Sequence, residues 1–389
     1  MKINAILEKD LIKSSGLIFG ASLIGSIILL ISNLVLSKHF GPGSFGNYKT
    51  VVSLFLFLPA LIEFGAGATL TKYIAEFSDD RINYLVGWFL KLRVILYLFL
   101  LGSIFIFREQ ITTYFLKDAS LSYLILPGLL FGFFVFFEIF KPITLGFQNF
   151  KLYSFSQFLT SASAGLLTIV VGYLFGIYYA IIAYGTGYLV GNLPNIRFSL
   201  AKKVFVRRNI QNNLDLKGIF LRYSLPIHLM VIPGFLSLGM IPILSLFFPQ
   251  KLIGYYAFAW IFYSGVLLIP IALSQVLFPK VSELSGKKNF KEAKRKLVRA
   301  FIVYTPVALL GIIGCLLFSE LFIGIIAPAY LSGLVAFEAL VCFGLVVGYL
   351  LIYKGYLTGL ARMKRLTLLV LVQNISLLGV SFITVGMIV

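Results

Sequence analysis

Eleven apolar stretches, each long enough to cross a bilayer, follow one another with short connections between them. A hydrocarbon core needs about 20 apolar residues per helix. The stretches near 11–37, 46–72, 83–107, 120–141, 153–174, 177–197, 217–246, 252–279, 299–325, 332–353 and 365–389 reach that length. Strands do not fit, because runs this long lack the in–out alternation of a lipid-facing barrel. Composition agrees: 60% of the 389 residues are hydrophobic and 12% are charged. A soluble domain is nearer half apolar and a quarter charged, so here lipid must cover much of the surface. The expectation is an all-α integral membrane protein of about eleven transmembrane helices. Lys2, Glu8, Lys9 and Asp10 precede an apolar run too long for a signal core, so no cleavable signal peptide is expected. Cys315 and Cys342 sit inside apolar runs and suggest neither a disulfide framework nor a metal site. No cofactor is expected.

Orientation follows from Lys and Arg, which gather on the cytoplasmic side. With the N-terminus inside, only Lys38, Lys49, Arg108, Lys117 and Lys251 of the 33 basic residues fall outside. The opposite topology inverts that bias. The same asymmetry accounts for the formal net charge of +19 without nucleic acid, for which no soluble domain exists. A multi-pass protein of the cell (inner or plasma) membrane, with a cytoplasmic N-terminus, is expected. The stretch Asn289 to Arg299 reads as a short basic amphipathic helix, with Asn289 as cap and Glu292 three residues on. It would lie on anionic headgroups, which makes membrane lipids a partner.

The chain also repeats itself. Phe40, Gly46 and Tyr48 recur with the same spacing as Phe248, Gly254 and Tyr256, and Lys72 corresponds to Lys280. A second match pairs Lys141, Gly146 and Lys151 with Lys354, Gly359 and Lys364. Six helices separate equivalent positions, so equivalent helices run in the same direction, as in transporters built from parallel repeats. The expected organisation is an N-terminal lobe over 1–197 with helices one to six, a basic cytoplasmic linker over 198–216, and a C-terminal lobe over 217–389 with helices seven to eleven. Twice six implies a twelfth helix, which is absent or truncated.

The segments that carry the repeat also resemble a known family. The run Phe40-Gly-Pro-Gly-Ser-Phe-Gly46-Asn-Tyr48 is similar to the first outer loop of polysaccharide flippases of the multidrug/oligosaccharidyl-lipid/polysaccharide exporter superfamily. Glu63 to Glu76, Leu145 to Tyr153, Tyr223-Ser-Leu-Pro226, Ile253 to Tyr256 and Leu277 to Leu284 resemble that family in the right order along the chain. The closest resemblance is to the O-antigen-type branch. It implies outward movement of isoprenoid-pyrophosphate-linked sugars by alternating access, with a lipid-linked oligosaccharide as substrate and polysaccharide assembly proteins as further partners. An acidic residue common late in helix seven of the family has no counterpart in Leu236 to Pro242.

Ionisable groups inside a membrane cost at least ~2.5–3.5 kcal/mol to insert and usually face a partner or a wet cavity. Glu63 and Lys91 are each about nine residues from the inner surface, so neighbouring antiparallel helices would bring them level, roughly 13 Å deep. One reading is a structural ion pair between them. The other puts Lys91 or Arg93 in the cavity, holding pyrophosphate. Glu138 and Lys141, three apart, suit a local pair. Arg222 reads as positive-inside anchoring or cytoplasmic capture of the diphosphate. Lys49 is a candidate cavity base on the outer side, where bases are scarce, and Tyr48 is beside it. Asn33, Gln157 and Gln275 are candidates for sugar hydroxyls, or for hydrogen bonds between helices. Glu63, Glu338 and His228 are candidates for ion coupling, against the plainer reading of His228 as a buried, hydrogen-bonded histidine.

Other functions fit less well. A membrane enzyme acting on lipid-linked sugars needs acidic or histidine-bearing loops, whereas the two histidines, His39 and His228, lie on different spans. No catalytic residue is assigned. A cation-coupled multidrug antiporter, a peptidoglycan-precursor flippase and a non-transporting scaffold remain as rivals. The orientation has a direct test on a background lacking Cys315 and Cys342. Single cysteines at Ser44 and Ser332 should react with an impermeant thiol reagent from outside, and one at Ser285 only after permeabilisation. The reverse pattern would discard the topology.

Overall fold

The computed structural model describes residues 2–77, 79–204, 215–360 and 362–388, with side chains from residue 16 onward except those of 79, 80, 119 and 363. Residues 205–214, most of the expected basic linker, lie outside the described residues. The described chain is helical throughout and contains no strand. In order the helices are α1 (Lys2–Leu61), α2 (Ala66–Glu76), α3 (Asp79–Ile106), α4 (Arg108–Phe115), α5 (Ile125–Val135), α6 (Phe140–Gly146), α7 (Phe150–Phe175) and α8 (Ile177–Ala201). They continue with α9 (Leu216–Ile219), α10 (Leu225–Ser245), α11 (Gln250–Val266), α12 (Leu268–Gly286), α13 (Phe290–Ile326), α14 (Leu334–Gly359) and α15 (Met363–Gly386). A 3-10 turn over Phe136–Ile139 joins α5 to α6, and a π turn over Phe220–Ser224 joins α9 to α10.

Among the described residues, nine helical stretches are long and apolar enough to cross a membrane. Two features separate this from the expected eleven. The first stretch, Gly16–Leu61, counts once although Gly41 (φ 70°, ψ 172°) breaks it. That region of backbone space is essentially closed to residues with a Cβ. Unbroken, its 46 residues would run about 69 Å, against a core of about 30 Å. The break yields two pieces, each of pass length. α8, read as the sixth helix, is absent from the nine because its tyrosines, its glycines and Asn192 dilute its apolar residues.

Two other expectations are corrected. The second helix, read as continuous over 46–72, stops at Leu61 and restarts at Ala66. The basic stretch 289–299, expected as a short helix feeding helix nine, is continuous with it as the opening turns of α13, which runs unbroken for 37 residues. Nothing between Asn289 and Pro306 interrupts a helix, and Lys, Arg, Glu, Ala and Leu all favour one. Asn289 caps it as expected, its Oδ1 accepting from the Glu292 amide at 3.2 Å.

By internal contacts the chain forms two compact units, Met1–Ser32 with Val51–Ile232 and Asn33–Thr50 with Pro233–Val389. These bounds depart from the expected halves 1–197 and 217–389. The stretch 33–50 belongs to the second unit because its backbone is pressed against α11. A Cβ at Gly46 would overlap the Gln250 carbonyl, and one at Gly254 would overlap the Pro42 carbonyl. The stretch 217–232 belongs to the first unit, where Ser224 Oγ donates to the Phe64 carbonyl at 2.6 Å. In the first unit α7 and α8 form the closest pair. Gly187 lies on Ala164 and Gly191 on Thr160, small residues that let two membrane helices touch along their backbones. In the second unit α14 is central and packs on α11, α12, α13 and α15. The lipid-facing side of α13 leaves Leu310 and Ile325 71% exposed, which suits hydrocarbon rather than water.

The internal repeat is visible in matching contacts. A Cβ on Gly146 would lie 2.8 Å from Ile74 in the first unit, and one on Gly359 would lie 2.8 Å from Val281 in the second. Likewise Gly132 abuts Phe55, and Gly344 abuts Tyr263. Gly146 and Gly359, matched by spacing, thus make matched contacts, and Gly132 and Gly344 add a pair that the sequence reading did not name. Because a carbonyl cannot move aside as a side-chain tip can, Gly254→Ala should cost about 1–3 kcal/mol. Gly379, which has open space around it, should tolerate alanine within about 0.5 kcal/mol. Thermal unfolding of the two variants in one detergent measures the difference.

Candidate functional site

The break between α1 and α2 begins at Pro59, which has no amide to donate back into the helix. The chain tightens there, with the Ile62 and Glu63 amides bonding to the Pro59 and Ala60 carbonyls at 3.3 and 3.4 Å. Phe64 (φ 48°) and Gly65 (φ 69°) then turn through left-handed backbone. Gly65 suits that conformation, and any Cβ there would also overlap the Ser224 carbonyl. Non-helical backbone at membrane depth is tolerated only where protein or a wet cavity meets its polar groups. Glu63 supplies one such partner: its Oε1 accepts the Gly67 amide at 3.2 Å, in the first turn of α2.

A second irregularity faces it. Pro142 cannot donate to the Glu138 carbonyl four residues back, and the span tightens to 3-10 over Phe136–Ile139. A 3-10 turn inside a long helix is a frequent mark of a functional position. Glu138 sits on this turn. Its Oε1 accepts from Lys141 Nζ at 2.8 Å, the local pair that the three-residue spacing suggests, and from Asn192 Nδ2 at 2.8 Å. From α3, Arg93 extends Nη2 to the Tyr97 hydroxyl and to the Val135 carbonyl, both at 3.2 Å. Its guanidinium lies 4.9 Å from the Tyr97 ring centroid and 5.7 Å from that of Phe136. Arg93 is only 9% exposed, and its Nε has no acceptor.

These groups line one cavity of about 760 Å³, made entirely of first-unit residues. Its bases are Lys72, Arg93 and Lys141, and its carboxylates are Glu63 and Glu138. Tyr97, Tyr153, Tyr188, Tyr223 and Gln157 add hydroxyl, amide and aromatic surface. Lys72 is held over the Tyr223 ring at 4.1 Å and the Tyr73 ring at 4.8 Å. Three bases against two carboxylates give a net positive wall inside an apolar protein. Such a wall favours an anion with a polar, hydroxyl-rich neighbour.

The structure separates residues that the sequence placed together. Arg93 and Glu63 line the cavity, whereas Lys91 is exposed, and no ion pair joins it to Glu63 among the described residues. Two residues along a helix turn through about 200°, so a buried Arg93 turns Lys91 outward. Arg222 is also exposed, while its neighbour Tyr223 reaches the cavity. Lys49 is half-buried over the Phe45 and Tyr48 rings at 5.6 and 5.9 Å and belongs to the second unit, as do buried Tyr48 and half-buried Asn33. Gln275 is exposed. Glu338 accepts a hydrogen bond from Ser319 Oγ, and His228 is buried with its ring 5.3 Å from Phe64. Sequence reasoning missed Lys72 and the four tyrosines. The available signal was helical spacing: Glu63, Gly67 and Thr71, or Tyr153 and Gln157, recur every four residues on one face.

Residues 11–285 match the family described as polysaccharide biosynthesis protein. The chain belongs to that family. No curated protein matches it. Among solved structures it resembles lipid II flippase MurJ in an inward closed conformation, at 16% identity and a TM-score of 0.72, over 95% of this chain and 86% of that one. It also resembles an inward-facing multidrug resistance MATE family transporter of the MOP superfamily, at 15% identity and a TM-score of 0.72, over 89% of this chain and 83% of that one. A Vibrio cholerae MATE transporter matches at 15% identity and a TM-score of 0.55, over 97% of both chains. At such identities the likeness is one of fold. The family member described here is a multi-pass helical membrane protein with the fold of those transporters.

Arg93 bridges a hydroxyl and a carbonyl with one planar group, which a lysine ammonium cannot reproduce. Arg93→Lys should therefore lower stability by about 1–3 kcal/mol. Lys91→Ala, two residues away and exposed, should stay within about 0.5 kcal/mol. Thermal unfolding in a common detergent distinguishes them.

Proposed function

We propose that this protein is a flippase that carries an isoprenoid-pyrophosphate-linked oligosaccharide from the cytoplasmic to the outer leaflet by alternating access. The observation that carries the reading is buried Arg93, whose Nε lacks an acceptor and which shares a positive cavity with Lys72 and Lys141. A pyrophosphate taken out of water needs cationic, hydrogen-bonding partners, because desolvating its charges unpaired is prohibitive. An arginine with an unused donor meets that need, and the tyrosines and Gln157 suit the adjoining sugar. Membership of a polysaccharide biosynthesis family and the likeness of fold to a lipid II flippase support the same reading. On this proposal the N-terminus is cytoplasmic, the membrane is the cell membrane, polysaccharide assembly proteins receive the product, and no chemical step is catalysed. The carboxylates that a cation antiporter would require are already engaged, Glu138 by Lys141 and Asn192, and Glu63 by the Gly67 amide.

Cells that lack their own flippase, given this protein and its cognate sugar pathway, should regain surface polysaccharide. Arg93→Ala, Lys72→Ala and Lys141→Ala should reduce export per molecule at matched membrane abundance, the strongest by roughly tenfold or more. Lipid-linked sugar should then accumulate on the inner leaflet. Lys91→Ala and Arg222→Ala should be silent. If the intact protein instead lowers cellular drug accumulation and leaves the sugar pool unmoved, the antiporter reading replaces this one.

A further inference from the structure

Among the described cavity bases, Arg93 and Lys141 are held in different ways. Arg93 has a donor to spare. Lys141 is held by its charge: its side chain is 8% exposed, and its ammonium is paired with Glu138 at 2.8 Å. The same Glu138 oxygen also receives Asn192 Nδ2 at 2.8 Å. A diphosphate ester brings at least two negative charges at neutral pH, and Arg93 can balance one. Lys141 lines the same cavity and could balance the next, but its charge is occupied within the protein.

We infer that Glu138 is an internal counter-anion, which holds Lys141 before substrate enters and yields it to the diphosphate when the lipid-linked sugar binds. The inference rests on the flippase reading above. A lysine this buried needs an anion at every stage, since an ammonium left alone in the interior is desolvated without compensation. Exchanging a carboxylate for a phosphate oxygen meets that need throughout. Glu138 can tolerate release better than Lys141 can, because its side chain is 29% exposed and retains Asn192 as a donor. The 3-10 turn, short of a backbone donor at Pro142, carries the carboxylate to where one oxygen meets both Lys141 and Asn192. The return of Glu138 to Lys141 then helps to expel the diphosphate, so tight capture does not become a trap. Glu138 acts here as a positioning residue, through Lys141.

Glu138→Gln tests this, because it keeps the shape and the contact to Asn192 but removes the charge. Binding of farnesyl diphosphate, the probe, is measured on purified protein in lipid nanodiscs. Glu138→Gln should bind about five- to tenfold tighter than wild type, Lys141→Ala correspondingly weaker, and the double variant should show no gain over Lys141→Ala. In reconstituted vesicles Glu138→Gln should lower both the half-saturating substrate concentration and the turnover, a split that loss of structure would not produce. Glu138→Asp, which keeps the charge but shortens its reach, should shift binding in the same direction by less. The inference is overturned if Glu138→Gln binds no tighter than wild type, or if it gains equally with Lys141 absent, which is mere removal of negative charge. In that event the flippase reading stands, provided wild type binds the probe and Arg93→Ala abolishes binding. If wild type does not bind farnesyl diphosphate at all, that reading falls and takes the inference with it.

Discussion

In hydrocarbon every backbone amide and carbonyl must find a partner inside the protein, and the architecture of this chain follows from where that requirement is met irregularly. Regular helices satisfy it by themselves, and their outer faces can then be wholly apolar, as on α13. At Ile62 to Gly65 the ladder gives way to a left-handed turn, and at Phe136 to Ile139 it tightens before Pro142. Polar side chains gather where backbone bonding is irregular. Glu63 reaches the first turn of α2, Ser224 reaches the Phe64 carbonyl, and Arg93 reaches the Val135 carbonyl. The cavity is thus first of all a product of local backbone chemistry.

That origin explains why its charges are so nearly balanced. An isolated ion at this depth would be expelled or neutralised. Each cavity base is accompanied, Lys141 by a carboxylate, Lys72 by two aromatic faces, and Arg93 by a ring, a hydroxyl and a carbonyl. What is left is a modest excess of positive charge and one unsatisfied guanidinium donor. On the proposed function such restraint aids release, since a site that bound its cargo with every available charge would let it go slowly.

Much of the fold was legible because length and apolarity alone determine a membrane span. The repeat was legible because spacing survives when side chains change. The break at Phe64 and Gly65 was hidden, since neither residue is unusual in a membrane helix and only the backbone angles betray it. The assignment of 33–50 and 217–232 to units other than their sequence neighbours was hidden too, because it depends on contacts among residues far apart in the chain. For the cavity, charge inside an apolar run drew attention to Glu63 and Arg93, while Glu138 and Lys141 were read only as a local pair; helical phase was needed to separate Arg93 from Lys91. Lys49 drew notice by its rarity on the outer side, yet its ammonium rests over the rings of its own helix.

The mutual packing of Gly46 on Gln250 and Gly254 on Pro42 constrains both matched segments together. These glycines sit at matched positions of two segments that share one spacing, Phe40-Gly46-Tyr48 and Phe248-Gly254-Tyr256. Each segment here is the steric mould of the other: a side chain gained by either would strike the main chain of its twin. Divergence at this place is therefore held back from both sides at once. The shared spacing is thus not idle likeness but a joint that neither segment can alter alone.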